Sequence, residues 1–304
     1  MSGDSVGTRL RALWLAARPS QVALIALVYA LGVGLARTVP TASASWDGVV
    51  GGGAALLPVA VGVHWANEYA DVETDRLTER TPFSGGSGAI QRTGVERAIL
   101  ARATGSATLV GLAGAVAGWV TGWLSVTALA LLVAIAGAGL AYSLPPVALV
   151  RRGVGELTNA VLGGTLLPLY GVAVVGRVSA ATVLAMVPFT ILVGCNLLAT
   201  HWPDREADAA VGKRTLAVRW SPRGLRQAYW LLAGVAAALT VVLSGRVLPT
   251  PVVAAQALAL PPLVWGGVVL TRQRSPLPAV SAMVVHAGAS TIAWWWLALS
   301  YSSH

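Results

Sequence analysis

The chain has 304 residues, of which 56% are hydrophobic and only 11% are charged, and its formal net charge is +9. Its mean hydropathy of +0.70 lies far above the range of soluble domains, which excludes a protein whose main solvent is water. The basic residues are dispersed along the chain rather than gathered on one face, and this excludes a nucleic-acid-binding protein.

Nine apolar runs are long enough to cross a hydrocarbon core of about 30 Å. We therefore predict an all-α, polytopic membrane protein in which a single transmembrane domain takes residues 1–304. No soluble domain, low-complexity tail or long linker is visible in the sequence. The nine runs lie near residues 20–38, 49–69, 98–120, 124–143, 156–176, 180–201, 226–244, 251–270 and 279–300.

The basic residues predict how the chain is oriented, because Lys and Arg near the ends of spans are retained on the cytoplasmic side. If the N-terminus is inside, 18 of the 21 basic residues fall in cytoplasmic segments. The other three are Arg37, Arg177 and Arg246, one in each of three outer loops. We predict an integral protein of the cell membrane with its N-terminus inside and its C-terminus outside.

Residues 1–45 have features of a secretory signal, namely arginines, an apolar stretch and small residues from Ala42 to Ala44. Because the apolar stretch is long enough to span a membrane, we expect it to be retained as the first span. The single cysteine, Cys195, lies in span six and excludes an internal disulfide. We expect it to be a small packing residue.

The acidic residues have an uneven distribution, with eight of the 12 in two short segments after spans two and six. Asn67, Asp71 and Asp75 recur every four residues, and so do Asp204 and Asp208. On a helix, residues at this spacing form a narrow stripe along one face. A solvated loop that balances nearby arginines would explain the charge but not the spacing. The eight are Glu68, Asp71, Glu73, Asp75, Glu79, Asp204, Glu206 and Asp208.

Like charges along one stripe repel, so each stripe costs stability unless cations lie beside it. Carboxylate oxygens suit Mg²⁺, which is commonly held by one or two carboxylates together with substrate phosphates. Lys213, the only lysine, follows the second stripe and offers a compact ammonium to phosphate. We predict that the metal ligands are Asp71, Asp75, Asp204 and Asp208. Two such stripes facing each other could hold Mg²⁺ together with a diphosphate. We predict that this diphosphate is bound by Arg76, Arg80, Lys213 and Arg214.

The motifs resemble those of the UbiA superfamily of intramembrane aromatic prenyltransferases, whose members have nine transmembrane helices and two aspartate-rich cytoplasmic motifs. The first motif is carried by Asn67-Glu-Tyr-Ala-Asp71-Val-Glu-Thr-Asp75, with Arg80-Thr81 after it. The second is carried by Asp204-Arg-Glu-Ala-Asp208, followed by Gly212-Lys213-Arg214-Thr215-Leu216-Ala217-Val218-Arg219. We therefore expect nine helices around a cavity that opens near the cytoplasmic side.

Within the superfamily the chain looks like the 1,4-dihydroxy-2-naphthoate polyprenyltransferases of menaquinone synthesis. Three segments carry this likeness: the run from Gly212 to Arg219, Gly85-Gly86-Ser87-Gly88-Ala89-Ile90, and Gly153-Val-Gly-Glu156-Leu157. The Arg-Pro-Leu-Pro-Ser-Gly stretch of 4-hydroxybenzoate enzymes is missing. The asparagine pair that often precedes the second motif is replaced by Thr200 and His201.

The resemblance implies that an allylic polyprenyl diphosphate ionises and that an electron-rich carbon of a small ring acceptor then attacks it. Bound Mg²⁺ would neutralise the departing diphosphate, and nearby basic groups would add to this stabilisation. Arg18 and Asn67 are further candidates for binding the diphosphate. The candidates for acceptor contacts are Tyr142, Glu156 and His201. The prenyl tail is soluble in lipid, which explains why such an enzyme lies in a membrane.

Several alternatives stay open at this point. The acceptor could instead be 4-hydroxybenzoate, a glyceryl-phosphate lipid, chlorophyllide, haem or a carotenoid end. A secondary transporter would use the aspartates to couple an ion, although such sites tend to lie near the bilayer midplane. An inert scaffold gives no reason for two four-residue acid repeats. His64 fits a packing role better than that of a base.

Overall fold

The computed structural model describes residues 5–39, 46–81, 83 and 85–302. Within these residues nine helical segments are long and apolar enough to cross a membrane. This confirms the predicted all-helical architecture with nine spans, whereas the central cavity stays a prediction. The spans are Pro19–Arg37, Trp46–Leu77, Ala98–Val120, Val126–Ser143, Gly155–Val175, Ala180–Thr200, Pro222–Leu243, Thr250–Val269 and Leu277–Tyr301.

Two of the spans are interrupted helices, and short helices lie between several others. The fifth span contains a π-helical turn at Leu162–Leu166, and the eighth is broken before Pro261 and Pro262. In chain order the helices are α1 (Val6–Ala17), α2 (Pro19–Arg37), α3 (Trp46–Leu77), α4 (Ala89–Thr93), α5 (Ala98–Val120), α6 (Val126–Ser143), α7 (Gly155–Val161), α8 (Leu167–Val175), α9 (Ala180–Thr200), α10 (Arg205–Ala210), α11 (Leu216–Arg219), α12 (Pro222–Leu243), α13 (Thr250–Ala257), α14 (Leu260–Val269) and α15 (Leu277–Ser302).

Helix α1 precedes the first span and was not among the predicted helices. Its Ala12 and Ala16, four residues apart, form a buried face, and Trp65 Nε1 on α3 donates to the Leu13 carbonyl at 2.9 Å. The helix ends at Arg18 in the left-handed conformation, and Pro19 begins α2, which is a favoured position for proline. The Ala42 to Ala44 run lies outside the described residues.

Helix α3 has 32 residues and continues eight residues beyond the predicted end of the second span. The extension carries Asp71 and Asp75 of the first acidic stripe, so these carboxylates lie on a helix that is continuous with a transmembrane span. α3 packs most extensively against α5, where the Thr104 hydroxyl donates to the Gly62 carbonyl at 3.3 Å. Small residues such as glycine let transmembrane helices approach closely.

The core of the bundle lies where α2 packs against α8 and α15, and where α9 lies against α12 and α15. The Tyr170 hydroxyl on α8 is buried and donates to the Gly52 carbonyl on α3 at 2.8 Å. Cys195 on α9 is 1% exposed and packs against α12, where its thiol contacts the Tyr229 carbonyl at 3.7 Å. This position agrees with the packing role that we expected for Cys195.

Candidate active site

The two acidic segments lie together at one end of the helix bundle. The first is the last part of α3, and the second begins at Asp204, which precedes the short helix α10 at its N-cap position without a capping hydrogen bond from its side chain. Helix α10 packs against α3, and Asp208 on α10 is buried. Residues far apart in sequence thus bring their carboxylates to one place.

Lys213 joins the two segments directly. Its Nζ lies 2.9 Å from Asp71 Oδ1 and 3.2 Å from Asp208 Oδ1, and its side chain is 7% exposed. Burial alone would lower the pKa of Lys213, but the Asp71 and Asp208 carboxylates raise it above its ordinary value. The ammonium therefore stays charged and supplies the positive charge that the facing carboxylates require.

Asp204 provides a further acidic group beside this ion pair. Its Oδ1 is buried and has no hydrogen-bond partner, and burial together with the nearby Asp208 carboxylate raises the pKa of Asp204 to about 6. A buried carboxylate oxygen without a partner costs free energy until a donor or a cation meets it. This oxygen is therefore available to an incoming ligand.

The donor set suits a hard divalent cation because its available groups are carboxylate oxygens. Across the ranges that the structure describes, no group of three His, Cys, Asp or Glu side chains is arranged to hold a metal ion by itself. Lys213 lies between two of the carboxylates instead. A metal bound here would need either a shift of the Lys213 ammonium or additional oxygen ligands from a substrate, and the second arrangement is usual for Mg²⁺.

Asp75 lies one helical turn beyond Asp71 and touches the glycine-rich loop at residues 85–88. Gly86 has φ +62°, and a Cβ at this position would overlap Asp75 Oδ2. Glycine is thus required both by the backbone conformation and by the close approach of the carboxylate. The loop that resembles the naphthoate branch in sequence therefore borders the first acidic stripe.

Glu68 fixes this loop to α3. The side chain is 2% exposed, and its Oε1 accepts from Ser87 Oγ at 2.6 Å and from the Ala89 backbone at 3.3 Å. Its Oε2 accepts from the Ser87 backbone at 3.1 Å and from the Arg18 guanidinium at 3.0 Å. Glu68 is one of the eight clustered acids, but its position one residue off the stripe indicates no role, and no spacing in the sequence links it to Ser87.

The structure does not bring all the predicted diphosphate-binding residues together. Arg18 is paired with Glu68, and Arg80 donates to the Gly85 carbonyl at 3.1 Å and to Gln91 Oε1 at 3.4 Å. Arg76 is exposed and pairs with Glu73, and Arg214 is also exposed. Of these cations, only Lys213 contacts the aspartates directly.

The predicted acceptor-binding residues form a second group, next to the first. His201 Nδ1 lies 3.1 Å from Glu156 Oε1, which also accepts from the Leu216 backbone at 2.6 Å. Burial alone would lower the pKa of His201, but the hydrogen bond and charge of Glu156 raise it. The other carboxylate oxygen of Glu156 is buried without a partner. Glu156 thus attaches the segment after Lys213 to the end of α9, and one of its oxygens stays available.

Two more predicted residues are Tyr142, near the end of α6, and Asn67 on α3. The Ser143 hydroxyl donates to Asn67 Oδ1 at 3.0 Å and so connects α6 to the first acidic stripe. The ring of Tyr142 lies against Gly155, where an added Cβ would come within 3.3 Å of it. Tyr142 is therefore adjacent in space to the segment that carries Glu156. His64, one turn before Glu68, has a buried Nε2 without a partner.

The fold and the paired acidic segments define a helical membrane protein with a cluster of charge at one end. The chain belongs to the UbiA prenyltransferase family, which it matches over residues 23–289. Its structure is similar to that of a UbiA homolog from Archaeoglobus fulgidus bound to GPP and Mg²⁺, with a TM-score of 0.67, 16% identity, and coverage of 96% of this chain and 100% of that chain.

Two further structures have the same fold. The apo structure of a UbiA homolog from Aeropyrum pernix K1 has a TM-score of 0.67 and 16% identity, and covers 92% of this chain and 97% of that chain. A structure described as digeranylgeranylglyceryl phosphate synthase in membranes has a TM-score of 0.65 and 13% identity, and covers 95% of this chain and 99% of that chain. No curated protein matches the chain in sequence. At these identities the structural likeness establishes the fold alone.

Proposed function

We propose that this protein is a Mg²⁺-dependent prenyltransferase that moves a polyprenyl group from its diphosphate to a dihydroxynaphthoate-like aromatic acceptor in the membrane. The observation that carries the proposal is the Asp71, Lys213 and Asp208 contact in a chain of the UbiA prenyltransferase family. This contact brings together carboxylates that can bind a divalent cation and an ammonium group that can bind phosphate. The A. fulgidus homolog of the same fold binds GPP and Mg²⁺.

The four aspartates are the proposed metal ligands. Asp204 offers the oxygen that has no protein partner, and Asp71 and Asp208 are held in place by Lys213. When bound, Mg²⁺ would act as a Lewis acid that neutralises charge on the departing diphosphate. Asp75 completes the set from the next turn of α3.

Basic groups are proposed to hold the diphosphate itself. Lys213 can turn its ammonium from the aspartates to phosphate oxygens without leaving the site, since a lysine stem is long and flexible. Arg18 lies beside the same stripe and has a buried Nε without a partner. The remaining proposed contacts, which require side-chain movement from the positions described above, are Asn67, Arg76, Arg80 and Arg214.

The surrounding helices provide the environment that the reaction needs. An allylic cation is captured by water unless water is excluded, and the apolar walls of a helical bundle exclude it. The prenyl tail dissolves in the same hydrocarbon that surrounds these helices. Chemistry at the end of the bundle thus lets the charged diphosphate stay near water and the apolar tail stay in lipid.

The dihydroxynaphthoate-like acceptor is supported by three sequence segments, each of which has a residue beside the acidic groups. The glycine-rich loop borders Asp75, and Glu156 contacts both His201 and the backbone of Leu216. The free oxygen of Glu156 can accept a hydroxyl hydrogen from the ring, and Tyr142 lies nearby. Attack by the ring carbon forms the new carbon–carbon bond, and the acceptor carboxylate is lost as carbon dioxide.

The test is to give the purified enzyme geranylgeranyl diphosphate with dihydroxynaphthoate, 4-hydroxybenzoate or geranylgeranylglyceryl phosphate, and to identify the products by mass with and without Mg²⁺. We expect a prenylated naphthoquinol and free diphosphate only when Mg²⁺ is present. Prenylation of either other acceptor without a naphthoate product would contradict the acceptor assignment and leave the prenyltransferase proposal intact. Failure to release diphosphate with any acceptor would contradict both.

A further inference from the structure

A basic groove lies between the first turns of α12 and the end of α14, which pack against each other. Its volume is about 510 Å³. It opens at the same end of the bundle as the acidic segments, because α12 directly follows α11 and because Arg274, just after α14, pairs with Glu79 beyond α3 at 3.2 Å. The lining includes Arg223, Arg226, Trp230, Gly267, Val268 and Arg272.

Three guanidinium groups converge on this groove without a compensating carboxylate. None of Arg223, Arg226 and Arg272 takes part in an ion pair within the described part of the chain, although Arg226 donates a hydrogen bond to the Thr271 hydroxyl. Like charges in one concave surface repel, so a bound anion would stabilise the arrangement. Arginine binds phosphate oxygens especially well, through two parallel hydrogen bonds.

A role in membrane topology alone would account for arginines at this end of the helices. That role needs charge near the span ends, but it does not need three arginines to line one cavity. Arg9 and Arg92, two other arginines of the predicted cytoplasmic side, are exposed as Arg223 and Arg272 are, but they do not line this groove. The grouping of Arg223, Arg226 and Arg272 around one groove therefore indicates a binding site for an anion.

The part of the groove that is lined by Trp230 and Val268 is apolar and faces outward from the bundle. Trp230 is 42% exposed and Val268 is 47% exposed, so both offer surface to acyl chains. A Cβ at Gly267 would lie 2.5 Å from the Trp230 ring, which means that the absence of a side chain lets the indole lie close to α14. Tryptophan is typical of the level in a membrane where lipid headgroups meet hydrocarbon.

We propose that this groove binds the phosphate headgroup of an anionic phospholipid in the leaflet at the aspartate end of the bundle. The arginines contact the phosphate, and Trp230 and Val268 contact the upper part of the acyl chains. Basic pockets between transmembrane helices are a known form of headgroup site. A free phosphate ion would contact only the arginines, whereas a phospholipid contacts the arginines with its headgroup and Trp230 and Val268 with its acyl chains.

The experiment measures lipid binding to delipidated protein in detergent by native mass spectrometry and thermal unfolding. The ligands are phosphatidylglycerol, phosphatidylcholine, inorganic phosphate and geranylgeranyl diphosphate. The test variant is Arg223→Gln/Arg226→Gln/Arg272→Gln. The control is Arg9→Gln/Arg11→Gln/Arg92→Gln, which removes the same charge from exposed positions elsewhere at the predicted cytoplasmic end.

We expect phosphatidylglycerol to bind the parent more tightly than phosphatidylcholine does, and we expect its affinity to fall about tenfold or more in the groove variant and little in the control. Arg223→Gln/Arg272→Gln keeps the Arg226 hydrogen bond to Thr271, and we expect it to show the same direction of change if the triple variant unfolds. Equal loss in both triple variants, unchanged affinity in the groove variants, or loss of geranylgeranyl diphosphate or inorganic phosphate binding alone would overturn the proposal.

Discussion

The Lys213 ammonium lies 2.9 Å from Asp71 and 3.2 Å from Asp208, and so connects a span of the N-terminal half to a short helix of the C-terminal half. All three side chains are largely buried. The contact has two effects that experiments can separate. It stabilises the packing of α10 on α3, and it keeps a cation between carboxylates that are proposed to hold a metal.

Replacement of Lys213 tests the first effect. We expect Lys213→Met to lower the free energy of unfolding by about 3 to 5 kcal/mol, because it leaves two buried carboxylates without a cation. Thermal unfolding in detergent measures the change, and added Mg²⁺ should restore part of it. Arg214→Met is the matched control, since this neighbour is basic but exposed. Unfolding of Lys213→Met at the parent temperature without Mg²⁺ would show that the ion pair does not stabilise the protein.

Replacement of the aspartates tests the proposed metal site. We expect Asp71→Asn and Asp204→Asn to abolish prenyl transfer while the protein stays folded, because an amide is a much weaker ligand for Mg²⁺ than a carboxylate. Product formation and the size-exclusion profile are measured together. Glu206→Gln is the control, because Glu206 is on the same short helix but is 70% exposed. Near-normal turnover in either aspartate variant would remove that residue from the site.

The buried carboxylate of Glu68 offers a test of the glycine-rich loop. We expect Glu68→Gln to destabilise the protein by about 3 kcal/mol, because the variant loses the charge that pairs with Arg18 and weakens the bonds from Ser87 and Ala89. Faster hydrogen exchange over residues 85–89 reports the freed loop. Glu73→Gln on the same helix breaks only an exposed pair, and we expect a change below about 1 kcal/mol. Equal exchange in the two variants would show that Glu68 does not hold the loop.

The predicted topology is tested by labelling single cysteines with an impermeant thiol reagent. Cysteines at Glu73 and Ala209, which are exposed near the two acidic segments, should react only from the cytoplasmic side. A cysteine at Arg177, in a predicted outer loop, should react only from outside. The native Cys195 is 1% exposed and should give little background. Labelling of Glu73 and Ala209 positions from opposite sides would be incompatible with a shared site.

The sequence predicted those features of the protein that follow from periodicity. Nine apolar runs gave the nine spans, and the spacing of Asp71 with Asp75 and of Asp204 with Asp208 indicated that two helical stripes would face a common ligand. The prediction of nine spans is confirmed because an apolar run is a property of neighbouring residues, which helix geometry converts directly into position. The common ligand of the two stripes stays a prediction.

Contacts between distant segments could not be predicted in the same way. Arg76 and Arg80 looked equivalent in the sequence, but Arg76 faces solvent and Arg80 supports the loop at Gly85. The attachment of Ser87 to Glu68 and of Leu216 to Glu156 depends on how helices pack, and no local pattern encodes it. Helix α1 was missed because its apolar residues are too few to resemble a span.

The length of α3 has a consequence for what happens after the reaction. With 32 residues and a rise of 1.5 Å per residue, the helix is about 48 Å long and exceeds the hydrocarbon thickness of about 30 Å. If prenyl transfer occurs at its end, the two products separate by solubility. Diphosphate leaves into water and the prenylated ring diffuses away in the bilayer, so the two products leave by different routes.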